Sequence, residues 1–154
     1  LHVCPPQSAP DFIKASPLAN EAGWLDVDQG SLQHSQHKNI FGVGDCTSTP
    51  NAKTAGAVRQ QAPIVAENIV RLLNSKALLS CYGGYGSCPL TVEHGKIVLA
   101  EFSYGGKVTP TFPTWLLNGL VPTRLAWFLK AKVLPYVYFN RMLKGKEWLA
   151  EPKD

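Results

Sequence analysis

Cys88 and Asp45 are the two side chains whose sequence surroundings point most directly to chemistry. Cys88 stands in Gly83-Gly84-Tyr85-Gly86-Ser87-Cys88-Pro89, which reads as a flexible turn whose bare backbone lets a substrate or cofactor come close to a thiol. Asp45 closes Asn39-Ile40-Phe41-Gly42-Val43-Gly44-Asp45, an apolar strand running into a Gly-x-Gly-Asp turn. Gly42 and Gly44 permit close backbone approach to a ligand, and Asp45 can then accept hydrogen bonds from ligand hydroxyls. Asn51 is positioned to cap a helix opening at 52–56, whose free N–H groups and positive dipole end would face an electron-rich ring. Taken alone, the turn also fits a strand, a tight turn and a helix cap in any α/β domain.

The other reactive residue types point elsewhere. Cys4, Cys46, Cys81 and Cys88 show no Cys-x-x-Cys or Cys/His spacing for zinc, and no metal is expected. His34 and His37 sit in a polar stretch without thiol or carboxylate neighbours, which reads as a solvated loop. Cys46, next to Asp45, reads as a small core residue. At 45% hydrophobic content, 154 residues can bury a core without a disulfide scaffold.

Three stretches must position these groups. Residues 1–38 alternate turns with short strands, Trp24-Leu25-Asp26-Val27-Asp28 alternating like a half-buried strand. With no initiator Met, they read as the end of a domain whose beginning is absent. Residues 39–75 give a strand, the Gly-Asp turn and a long helix with Ala55, Val58, Ala62, Ala66, Ile69 and Leu73 at helical spacing, bent locally at Pro63. Residues 76–154 open on the Cys88 turn. Two strands at 96–102 and 106–110 then make a hairpin through Tyr104-Gly105-Gly106.

The tail differs in kind. Pro122 reads as the first residue of a helix carrying Leu125, Trp127, Phe128 and Leu129, and Pro135 opens a second segment with Tyr136, Tyr138, Phe139, Met142 and Leu143. Nine of the 15 aromatic residues fall between Phe102 and Lys146, with seven cations and no acid. That pattern suits amphipathic helices lying in a membrane interface, although two core helices over a sheet would also explain it. No apolar run is long enough to span a bilayer, and no signal peptide opens the chain. The overall charge of +4 is mild, and nucleic acid is not an expected partner.

These motifs together resemble the C-terminal part of the sulfide:quinone oxidoreductases. The resemblance runs through His2-Val3 before Pro5-Pro6, Gly23 to Asp28, Leu32-Gln33-His34, the Gly-Asp turn, Lys53-Thr54-Ala55, the Ser87-Cys88-Pro89 element, Ile97 to Phe102, Lys130-Ala131, Leu134-Pro135 and Met142 to Gly145. It implies an α+β fragment of an α/β two-dinucleotide-binding flavoprotein. Residues 1–38 would end the second, NAD-like domain, 39–75 would return to the FAD-binding domain, and 76–154 would be the membrane- and quinone-associated region.

The family mechanism so implied begins with sulfide attacking a cysteine disulfide beside FAD. One sulfur becomes a persulfide and the other a thiolate, FAD is reduced, and electrons pass to membrane quinone. Cys88 matches the cysteine that carries sulfane sulfur, its partner lying upstream, and a thiol near a helix N-terminus can be held as the thiolate this needs. Cys4 stands where the pattern more usually has Thr, so it is not given a catalytic role. Gly44 and Asp45 match the ribityl contact, and Lys53, Thr54, Ala55 and Gly56 the helix start beside the flavin. Phe102, Tyr136 and Phe139 are the quinone-stacking candidates. The expected partners are hydrogen sulfide, quinone, a small sulfane-sulfur acceptor and a membrane surface, with self-association covering exposed apolar area. The location would be peripheral, on a bacterial cytoplasmic or mitochondrial inner membrane. The isolated segment is expected to be inactive. A membrane NADH:quinone dehydrogenase accounts for all but the Ser-Cys-Pro element, and a membrane-binding module accounts only for the tail.

Overall fold

The computed structural model describes residues 3, 5–146 and 149–152, so the readings at His2 and Cys4 lie outside the described residues. After a short helix α1, Asp11–Lys14, the chain as far as residue 54 holds no regular strand. Leu25 bridges both Ala19 and Thr47, Val27 bridges His34, and Gln33 bridges Phe41, each as a single pair. The strands expected at 24–28 and 39–43 are therefore reduced to bridges. Local bonds intercept the ladder. Asn20 Oδ1 accepts from the Ala22 and Trp24 amides, Asp28 Oδ1 accepts from the Gly30 and Ser31 amides, and Leu32 takes φ 62°. Even so, Leu25 and Val27 are buried as the alternation required, and with Leu32, Ile13, Ile64, Val65 and Tyr82 they form the first core.

Helix α2, Ala55–Leu73, is capped by Thr54, whose Oγ1 accepts from the Ala57 N–H, and runs on past Pro63. The cap expected at Asn51 is thus three residues too early; the Asn51 amide donates to the Ala52 carbonyl instead. The buried face is also not the expected one. Ala57, Gln61, Ile64, Val65 and Asn68 point inward, while Ala62 and Ala66 are exposed and Leu73 is 79% exposed. Gln61 and Asn68 go inside because they satisfy loop backbone. Asn68 donates to the carbonyls of Ser31 (2.9 Å) and Leu79 (3.0 Å) and accepts from the Leu79 amide (2.7 Å). A buried amide with such partners is tolerated in a core, and counting apolar spacing overlooks it.

Strands β1, Gly86–Glu93, and β2, Lys96–Phe102, form an antiparallel pair about His94-Gly95. This hairpin replaces the two expectations around it. Cys88 lies on β1 rather than in a flexible turn. The reversal at 104–106 leads back only to a single bridge between Phe102 and Val108. Pro89 is accommodated because the sheet has only two strands, leaving a side of β1 where no ladder N–H is needed. Along β2, Ile97, Leu99 and Glu101 are buried, and Ile97 and Leu99 join Leu117 and Ala126 in a second core.

The tail is one continuous helical run. Thr123 caps α3, Arg124–Phe128; the π-helical turn Leu129–Val133 follows, and α4, Leu134–Asn140, continues from it. Pro122 therefore lies before the cap, and Pro135 does not start a separate segment. Its ring has no N–H to give to Ala131, and the widened turn before it absorbs that missing bond. Among the described residues the coarse architecture is a small α+β unit with one two-stranded sheet.

Candidate functional site

At the Gly-Asp turn, a 3-10 turn over Gly44–Cys46, the two glycines serve different ends. A Cβ on Gly42 would come within 2.7 Å of Leu25 and 2.8 Å of Thr47, so Gly42 is required for internal packing rather than ligand approach. Gly44 supplies the conformation, φ 81°, and its N–H donates to Gln61 Oε1 at 2.7 Å, fixing the turn to α2. Asp45 is left exposed to one side. The first turn of α2 presents the amides of Ala55 and Gly56, which a helix start leaves without intrahelical partners.

Lys53 turns inward. Its Nζ donates to the carbonyls of Thr47 (2.5 Å) and Thr49 (3.1 Å) and lies 4.7 Å from the centre of the Trp24 ring. Burial holds its ammonium below the usual 10.5, and the neighbouring Asp45 and Cys46 oppose that shift. Lys53 thus shapes the loop joining the Gly-Asp turn to the helix.

Glycine also brings the thiol strand onto this helix start. A Cβ on Gly56 would meet Ser87 Oγ at 2.2 Å and the Ser87 amide at 3.1 Å, and one on Gly86 would touch Ala52 at 3.4 Å. Ser87 is thereby pressed to the opening of α2, with Cys88 exposed on the next position of β1 opposite Ala100. Thr54 and Gly56 thus lie against Gly86 and Ser87, with Cys88 following on the other face of the strand, and the Gly44–Gln61 bond ties the Asp45 turn to the same helix. An exposed carboxylate and a helix start suit a ligand that carries hydroxyls and an electron-rich ring, and the exposed thiol lies one residue along the strand from the contact with that helix start. Cys46 packs against the first core, its Sγ donating to the Val43 carbonyl at 3.5 Å, while Cys81 is exposed.

Two features escaped sequence reasoning. Glu101 is 4% exposed; it accepts from the Tyr85 hydroxyl (2.6 Å) and the Thr111 amide (3.0 Å), as well as from the Thr111 hydroxyl. Burial first, then the bond to Glu101, raises the Tyr85 phenol above its usual 10.0. An acid at an inward position of an alternating strand was the readable signal. Lys130 was grouped with the lipid-facing cations, but its Nζ donates to the Pro89 carbonyl (2.9 Å) and Thr91 Oγ1 (2.8 Å).

The quinone candidates are separated. Phe102 lines a cavity of about 220 Å³ with Val98, Ala100, Val108 and Leu120, and neither Tyr136 nor Phe139 lines it. Those two rings are 63% and 62% exposed on α4. A second apolar cavity, also about 220 Å³, lies between Phe112, Leu117, Leu125 and Phe128. No helix among the described residues is long and apolar enough to cross a membrane.

His34 is not in a solvated loop: it is buried, and its Nδ1 accepts from the Gln36 and His37 amides. Nε2 must then carry the proton and donate to the Leu18 carbonyl at 3.0 Å, making this a structural histidine. Among the described residues no cluster of His, Cys, Asp or Glu could hold a metal.

No family model matches the chain. It is similar to "Sulfide:quinone oxidoreductase, mitochondrial" of Mus musculus, 41% identical over 145 residues, covering 94% of this chain and 32% of that protein. Proteins of the same name from Schizosaccharomyces pombe and Dictyostelium discoideum are 37% and 41% identical, covering 96% and 95% of this chain and 33% and 32% of theirs. The chain spans about a third of the length of the curated relatives it matches. Its fold matches a chain in a cryo-EM structure of Tetrahymena thermophila mitochondrial ATP synthase, with TM-score 0.72 and 30% identity over 86% of this chain and 32% of that one.

Proposed function

We propose that this chain is the thiol- and quinone-facing segment of a flavoprotein that oxidises sulfide to sulfane sulfur and delivers the electrons to membrane quinone. The observation that carries the reading is that similarity to sulfide:quinone oxidoreductases over 94% of this chain coincides with the contacts that press Gly86 and Ser87, directly before Cys88, to the start of α2. In this reading 1–38 end one dinucleotide-binding domain, 39–75 belong to the FAD-binding domain and 76–154 serve quinone and membrane.

Bound FAD would accept the electron pair released at sulfur and release it to quinone. The residues of this chain hold and orient. Asp45 would accept hydrogen bonds from the hydroxyls of bound FAD, Gly44 keeps the turn open, and the Thr54-capped amides of Ala55 and Gly56 would present positive potential to its ring. Lys53 keeps the intervening loop in place. Cys88 is the disulfide sulfur that sulfide attacks and that is left as the persulfide, its upstream partner leaving as the thiolate. Phe102, Tyr136 and Phe139 offer aromatic faces to quinone, Phe102 from a cavity and the other two from the α4 surface. The exposed apolar side chains of 115–143 and the neighbouring cations support peripheral docking to a membrane, and the relatives' names, which place those proteins in mitochondria, favour the mitochondrial inner membrane over a bacterial one for this reading.

The test is Cys88→Ser in the complete holoenzyme. Flavin content should be nearly unchanged, and sulfide-dependent quinone reduction should fall to background. Near wild-type turnover would remove Cys88 from the reaction.

A further inference from the structure

Lys130 sits in the π-helical turn Leu129–Val133, midway along the helical run 124–140. Its ammonium reaches back across 41 residues to the Pro89 carbonyl, at 2.9 Å, and the Thr91 hydroxyl, at 2.8 Å. Pro89 is the residue directly after Cys88. On the same run, Leu125, Phe128, Tyr136 and Phe139 stand 49–63% exposed, and Lys132 is exposed beside them. One helical run therefore carries an outward apolar surface and an inward charged anchor. A cation donating to two oxygens makes a stronger link than a neutral pair, and it is aimed at the backbone of the thiol strand.

We propose that Lys130 is a positioning residue coupling membrane docking of the run 124–140 to the placement of Cys88. The two states are the docked and undocked run, and the link is the anchor on Pro89 and Thr91. A lipid surface that moves the run pulls on β1 one residue from the thiol. The widened turn before Pro135 is where the run gives most readily, since its bonding is already irregular. This rests on the reading of 115–143 as a membrane surface.

The experiment uses the complete holoenzyme after reduction with dithiothreitol. The rate of Cys88 carbamidomethylation by iodoacetamide is followed by mass spectrometry of the Cys88 peptide. Samples are compared with and without phosphatidylcholine vesicles carrying about one-fifth phosphatidylglycerol, with vesicle co-sedimentation and flavin absorbance recorded for each. In wild type, docking should change the rate about fivefold. Lys130→Met should co-sediment as before, keep its flavin spectrum and lose the response. Thr91→Val, which removes one of the two acceptors and disturbs folding least, should lose about half of it. Lys132→Met should keep it. An unchanged response in both Lys130→Met and Thr91→Val overturns the coupling, as does a docked wild type with no response. Failure of the wild type to co-sediment would instead sink the membrane reading itself, and Cys88 labelling reads the anchor whether or not Cys88 is needed for turnover.

Discussion

The first core and the second are held by different means. Around Ile13, Leu25, Val27, Leu32, Ile64, Val65 and Tyr82 the chain is mostly irregular, and buried polar side chains keep its loops in place: Asn68 holds 31 and 79, Gln61 holds 44, and His34 holds 18. Around Ile97, Leu99, Leu117 and Ala126 the elements are a regular hairpin and helix held chiefly by packing, with the buried Glu101 and the Lys130 anchor added at its edges. The first arrangement exposes a carboxylate and a helix start with little apolar surface between them. The second leaves large side chains outside, Trp115 at 83% and Leu120 at 70%. Directional bonds suit irregular loops that no ladder holds in place, and packing carries most of the load where regular elements meet.

If that contrast is right, the largest stability loss should come from the packed side. Ile97→Ala in the complete protein, at a fully buried position, should cost about 3 kcal/mol by chemical denaturation, read through the hairpin. Asn68→Ala should follow at about 2 kcal/mol, because the Leu79 amide and two carbonyls lose their partner; faster hydrogen exchange at Leu79 is the local signature. A loss at Asn68 no greater than at an exposed site would collapse the distinction. Phe128→Ser should move stability by only about 0.5 kcal/mol, the ring being 56% exposed, yet weaken vesicle binding measurably.

The smallest effect concerns Asp28. The Ser31 amide and hydroxyl, which it accepts, hold its carboxyl below the usual 3.8. A group whose folded-state pKa is lowered stabilises above its unfolded value and loses that contribution as pH falls through the folded one. Asp28→Asn should therefore flatten the acid limb of the melting-temperature profile below pH 3.8 and lower stability slightly above it. An acid limb as steep as that of the wild type would show that Asp28 is not involved.

Much of this was legible in the residues. The Gly-Asp turn, the long helix after it, the β2 strand and the inward Leu25 and Val27 follow from local pattern, and the nearly complete resemblance pointed to the same relatives that the comparison found. The buried face of α2 was not legible, because Gln61 and Asn68 count as outward in any hydropathy pattern and only the loops they bond to reverse that. The true hairpin was hidden behind its own glycines and Pro89, which signal a turn unless one knows that the sheet ends at β1. Lys130 could not be separated from its neighbouring lysines, since its partners lie about 40 positions away.

Residue 88 is clamped from both sides, Ser87 lying against Gly56 and Pro89 against Lys130. The consequence is entropic. A thiol on a swinging loop must surrender orientational freedom each time it meets a partner, whereas here the backbone gave up that freedom when the chain folded. Only the rotation of one short side chain is left to settle, so any partner that meets this sulfur faces little further loss of orientational freedom on the protein's side.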